Sequence, residues 1–203
     1  LQNSQHHGRK GREQTGYSYQ VPNQYQGTCN KLRVIGDKRG NRTSQWLRTN
    51  PELLGELKQL IRLPLHFVHV TRNPFDNIAT MAKRDRRVKG NTAKITEGIL
   101  EHAKNEYIRT SQVIERVRNQ LDDGEFFTMH IEDFLAYPGH YLRELMGFLD
   151  LPVTEQYLAD AQRILFSQPR KSRFSISWPT HMIEEVEQYV QTFYCLRDYH
   201  FND

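Results

Sequence analysis

The sequence predicts an α/β domain with a largely parallel sheet, on two observations. Short β-type runs at 32–36, 65–70 and 125–131 alternate with longer segments whose apolar residues recur at helical spacing. Two of those runs end in polar and charged residues, Asp37-Lys38-Arg39 and Thr71-Arg72-Asn73. In sheets of this kind ligands bind beyond the carboxyl ends of the strands.

Residues 1–30 are rich in Gln, Asn, Gly, His and Tyr and nearly free of aliphatic side chains. Such a segment cannot bury enough apolar surface to order itself, so it is read as a flexible polar tail ahead of one domain at 31–203. "LRVIG" at 32–36 reads as the first strand, closed by glycine. "NPELLGELKQLIR" at 50–62 sets Leu53, Leu54, Leu57, Leu60 and Ile61 on one helical stripe, with Asn50 as cap and Pro51 in the first turn. "LHFVHV" at 65–70 is the second strand, and 74–84 is a helix opened by proline. A long helix follows at about 93–121, its apolar face running from Ile95 and Ile99 to Val117 and Leu121. "EFFTMHI" at 125–131 is the third strand. Helices are expected at 139–151, 154–166 and 179–194, the last preceded by a basic, serine-rich segment at 168–178.

The composition narrows the class. At 203 residues the chain is long enough for a full core, and 37% hydrophobic with 26% charged residues is ordinary for a globular protein. No window holds the ~18 apolar residues of a membrane span. The net charge of +4 is mild for a nucleic-acid binder but suits an anionic ligand, so nucleic acid is not expected as a partner. Cys29 and Cys195 lie far apart without metal-ligand spacing and read as two free thiols, one disulfide being the alternative. His66, His69, His102 and His130 also lack such spacing, so no metal is expected. Asn41-Arg42-Thr43 is a glycosylation sequon, a pattern short enough to arise by chance.

The chemistry gathers at Arg72. It stands just past its strand, and Pro74 fits the first turn of the next helix, whose free N–H groups and dipole favour an anion. Thr80 follows eight residues later and could add a hydroxyl donor. A guanidinium and a hydroxyl suit a phosphate monoester. On residue types alone, an Arg72–Asp76 pair with Thr80 facing solvent fits equally well.

The pattern Arg-Asn-Pro-x-Asp-x-x-x-Thr resembles the 3′-phosphate motif of sulfotransferases that use 3′-phosphoadenosine 5′-phosphosulfate. The likeness extends from "VIGDKRG" through "LPLHFVHVTRNP" and "FFTMHIEDFLAYPGHYLRELMGFLDLP" to "RKSRFSISWPTHMIEEVEQY", roughly residues 32–200 in the family's order. It implies a three-layer α/β/α fold of the P-loop nucleotide type and sulfuryl transfer to an acceptor hydroxyl or amine of unspecified class, without a metal. It also implies that Arg72 and Thr80 hold the nucleotide's 3′-phosphate. By the same resemblance Lys38 takes the catalytic position, where an ammonium would stabilise charge on the leaving phosphate oxygen. Lys171, Ser172 and Arg173, in a run with three cations in four residues, resemble the basic loop that closes over the nucleotide, although the spacing differs from the cytosolic family's Arg-Lys-Gly loop. The run "KRDRRVK" at 83–89 reads as a solvated helix end with some steering role.

Two departures qualify the resemblance. The family's phosphosulfate loop, Gly-x-Pro-(Arg/Lys)-Ser-Gly-Thr-Thr, has no counterpart here and is expected upstream of Leu1, together with the acid-base residue for the acceptor. Ile131 occupies the place where the family often has a tyrosine before the Glu-Asp pair. The chain is therefore read as an N-terminally truncated enzyme, with a non-catalytic nucleotide-binding or interaction module of the same fold as the alternative. A kinase-like phosphotransferase would need a Gly-rich Lys-Ser/Thr loop and a magnesium carboxylate, and neither occurs. The compartment, cytoplasm or Golgi lumen, stays open.

Overall fold

The computed structural model describes residues 21, 33–36, 40–88 and 91–203. The chain divides into two compact units, Lys38–Glu132 with Pro169–Asp203, and Leu1–Asp37 with Asp133–Gln168. The segment 1–30, apart from Val21, and Asp37, Lys38 and Arg39 lie outside the described residues.

In the larger unit the elements run α1 (Gly40–Thr49), α2 (Leu53–Leu60), β1 (Phe67–Thr71), α3 (Pro74–Lys83), α4 (Glu97–Arg118) and β2 (Phe126–His130). After the sequence leaves and returns, a 3-10 turn at Ser172–Ser175 precedes helix α8 (Thr180–Val190). The two strands pair in parallel, Phe67 opposite Phe126 and Thr71 opposite His130. The protein is thus mixed helix and sheet, with a parallel two-stranded sheet among the described residues. Parallel strands need a long crossover, and α3 and α4 supply it.

The core forms where α3, α4 and α8 meet. Phe75 and Ile78 of α3 are wholly buried against Leu100 of α4 and Met182 and Val186 of α8. Each such side chain contributes about 1.5–3 kcal/mol on leaving water. Phe75 also packs edge-on to Trp178 and Phe201, which brings the chain's last residues onto the N-terminal turn of α3. A second cluster joins Leu47 of α1 and Leu54 of α2 to Val113 and Val117 of α4.

Three expectations change. Arg33–Gly36 form no strand: they are irregular and exposed, Ile35 at 82%. Among the described residues no strand pairs with this run, and a short apolar run left unpaired has nothing to hold it extended. Asn50 does not cap α2; its Nδ2 donates to the Trp46 carbonyl at 3.0 Å and closes α1 instead. Helix α2 begins at Leu53 after Glu52, with no side-chain cap, and Leu60 of its expected stripe is 81% exposed. Helix α1 itself was not anticipated. The long helix is shorter than 93–121, because a 3-10 turn at Thr92–Lys94 precedes it and Thr96 caps it through Ile99 N.

The smaller unit holds the end of α5 (Ile131–Ala136), then α6 (Pro138–Phe148) and α7 (Glu155–Gln162). Helix α6 ends in a Schellman turn. Leu151 N donates to Met146 O at 2.8 Å, Asp150 N donates to Gly147 O at 3.1 Å, and Asp150 takes φ 50°. Aspartate is one of the few side chains that tolerate this conformation. Thr154 caps α7, accepting from Tyr157 N at 3.1 Å.

Candidate anion-binding site

Strand β1 delivers Arg72 to the mouth of α3. Pro74 is the first helical residue, where the missing N–H costs nothing, and Asn73 caps the helix with Oδ1 accepting from Phe75 N at 3.1 Å. Asn73 is buried, so each of its polar groups needs a partner. Its Nδ2 donates to the His200 carbonyl at 2.8 Å, and its N–H donates to Glu132 Oε1 at 2.9 Å. The other carboxylate oxygen of Glu132 accepts from the Tyr199 hydroxyl at 2.7 Å. That hydroxyl also lies 3.1 Å from His130 Nδ1. With its one proton spent on Glu132, it accepts the hydrogen carried by His130. The carboxyl ends of both strands are tied in this way to residues 199 and 200.

Arg72 is half-buried. Its Nη2 donates to the Asp76 carbonyl at 2.6 Å and to Thr80 Oγ1 at 2.9 Å. Thr80 Oγ1 donates to Ser172 Oγ at 3.3 Å. Arg72 Nε is shut off from solvent and has no partner among the described residues. Burial pulls the Arg72 guanidinium below the usual arginine range, while the charges of Asp76 and Glu132 push the other way. Nearby, burial pushes the Tyr107 hydroxyl up to about 12, so it stays protonated among Thr71, Asn77 and Ser111.

Of the expected nucleotide contacts, the fold brings Arg72, Thr80 and Ser172 together. Arg173 is 2% exposed and bonded within the protein. Its N–H and Nη1 donate to the two carboxylate oxygens of Asp76 at 2.8 and 2.6 Å, and its Nε donates to the Phe201 carbonyl at 2.7 Å. Its Nη2 donates to the carbonyl of Asp203. Lys171 Nζ donates to that same carbonyl at 2.6 Å. In this structure Arg173 therefore holds the segment in place, and its neighbour Ser172 is the residue that meets the Arg72–Thr80 pair. Lys38 lies outside the described residues.

Sequence reading missed Asp76 as the anchor of Arg173, and Asn73, Glu132 and Tyr199 as the frame behind Arg72. The only local signals were an Asx residue before Pro74 and an acidic residue in the first helical turn. Among the described residues no group of three or more His, Cys, Asp or Glu could hold a metal ion. No described helix is long and apolar enough to cross a membrane. Cys195 is buried as a free thiol, and Cys29 lies outside the described residues.

Fold and site together define a mixed α/β chain with a guanidinium and two hydroxyls converging at the end of a parallel strand. That is a donor set for a tetrahedral oxyanion. Comparison of the chain with family models, with curated proteins and with solved structures finds no match in any of the three.

Proposed function

We propose that this chain is a sulfotransferase domain that binds 3′-phosphoadenosine 5′-phosphosulfate and passes its sulfuryl group to an acceptor hydroxyl or amine. The fold that goes with this reading is a three-layer α/β/α domain of the P-loop nucleotide type. The observation that carries it is the Arg72–Thr80 hydrogen bond at 2.9 Å, with Ser172 beside it, at the carboxyl end of β1. The spacing that resembles the 3′-phosphate motif thus corresponds to two side chains that meet in space.

In this scheme Arg72, Thr80 and Ser172 hold the 3′-phosphate and so fix the donor. Holding the donor by a group remote from the reacting sulfur lets binding energy be used for orientation. The S–O bond to the leaving phosphate breaks, a bond from sulfur to the acceptor oxygen or nitrogen forms, and the acceptor loses its proton. Lys38, by the resemblance, is the ammonium that meets the charge on the leaving oxygen.

Isothermal titration with 3′-phosphoadenosine 5′-phosphate tests the reading. Wild type binds, and Arg72→Ala weakens binding by about a hundredfold, the loss of two charge-assisted hydrogen bonds. Equal affinity for the two proteins overturns it.

A further inference from the structure

Helix α3 carries a second cation on the face that holds Asp76 and Thr80. Lys83 stands one turn beyond Thr80, where residues three apart are neighbours. Its ammonium is hydrogen-bonded to Ser175 Oγ, and the Ser175 hydroxyl donates to the Ser172 carbonyl at 2.5 Å. The contacts therefore run from Arg72 through Thr80, Ser172 and Ser175 to Lys83. A cation stands at each end, with three hydroxyls between.

The neighbouring carboxylates are already engaged. Asp76 gives both oxygens to Arg173, and Glu132 gives its oxygens to Asn73 N–H and the Tyr199 hydroxyl. Among the described residues Lys83 makes no ion pair, whereas the buried Lys104 of α4 has both Glu101 and Glu185. Burial and the repulsion of Arg170, with a smaller push from Arg72, hold the Lys83 ammonium below the usual lysine value against the pull of Asp76. Like charges brought together without a counter-ion disfavour one another, and a bound anion relieves that cost.

We propose that Lys83 is a second binding cation of this site, and that it makes the site select a dianionic phosphate monoester over a monoanionic sulfate ester. This rests on the sulfotransferase reading and deepens it. A phosphate monoester carries about −1.5 to −2 charge near pH 7 and three terminal oxygens, whereas a sulfate ester carries a single charge. Two cations separated by a row of hydroxyls answer the first and over-supply the second. The 3′-phosphate is then recognised by its charge as well as by its shape. A donor presented the other way round, with its sulfate at this site, is disfavoured.

The test is a titration of four probes against wild type, Lys83→Met, Lys83→Arg and Arg72→Ala. The probes are 3′-phosphoadenosine 5′-phosphate, adenosine 5′-phosphate, phenyl phosphate and phenyl sulfate. Lys83→Met weakens 3′-phosphoadenosine 5′-phosphate about tenfold, the loss of one charge-assisted contact. It removes the preference for phenyl phosphate over phenyl sulfate. Lys83→Arg keeps both the affinity and the preference, and Lys83→Gln repeats the Met result if Met disturbs folding. Unchanged nucleotide affinity in Lys83→Met, alongside a large loss in Arg72→Ala, overturns the proposal and leaves the nucleotide reading standing. A Lys83-dependent preference for phenyl phosphate, with no gain from the adenosine, upholds the anion site and overturns the nucleotide reading. Phenyl sulfate bound by wild type as tightly as phenyl phosphate overturns the selectivity.

Discussion

Replacing Asp76 by alanine should unfold the frame behind the site. Both partners of the Asp76–Arg173 pair are 2% exposed at the side chain, so neither charge has water to fall back on. Alanine removes the counter-ion of Nη1 and the acceptor of the Arg173 backbone N–H together. Truncating one partner of a buried ion pair costs about 3–5 kcal/mol, most of it the stranded charge. At about 2–4 °C per kcal/mol for a chain of this size, the thermal midpoint falls by about 6–20 °C. Circular dichroism melts at neutral pH on wild type and Asp76→Ala measure it directly. The double variant Asp76→Leu/Arg173→Met is the control, since replacing both charges leaves none stranded and recovers most of the loss. A fall of less than about 2 °C in the single variant would refute the reasoning. So would a double variant less stable than the single.

Two further consequences concern the strand ends. Tyr199→Phe deletes the donor to Glu132 and the acceptor for His130, which costs about 1–3 kcal/mol in a urea titration; an unmoved midpoint contradicts that frame. Burial, with a smaller push from His130, lowers His69 from 6.5 to about 4. The unfolded chain then binds the proton more readily than the folded one between those values. The stability held by the neutral ring is full above about pH 6.5 and is lost as pH falls towards 4, about 2–3 kcal/mol of it by pH 4.5. Urea titrations at pH 7 and 4.5 should show His69→Gln losing less over that interval than wild type. An identical loss in the two proteins counts against the buried neutral ring.

What could be read ahead of the structure was local. Strand β1 and the opening of α3 are legible because a run of β-type residues and a helix-opening proline follow one another within a few residues. The pairing of Arg72 with Thr80 came from the family resemblance, since residue types alone left an Arg72–Asp76 pair equally open. Helix α1 was not legible, because "GNRTSQWLRT" shows no apolar stripe, and of its side chains from 42 onward Leu47 alone is buried. The run at 32–36 misled because β propensity states what a strand tolerates and not whether a neighbour exists to pair with it. Arg173 is the more instructive case. A basic run near an anion site reads as ligand contact, yet its partner Asp76 lies 97 residues earlier in the chain and only the fold brings them together. The same holds for Tyr199 and Glu132, separated by 67 residues.

The central claim is that Arg72 holds a nucleotide 3′-phosphate, and one comparison isolates it. Wild type and Arg72→Ala are each titrated with 3′-phosphoadenosine 5′-phosphate and with adenosine 5′-phosphate, which differ only in that phosphate. The account predicts that wild type prefers the first nucleotide strongly, by about a hundredfold, and that Arg72→Ala binds the two nearly alike. A preference that survives intact in Arg72→Ala, or its absence from wild type, would contradict it.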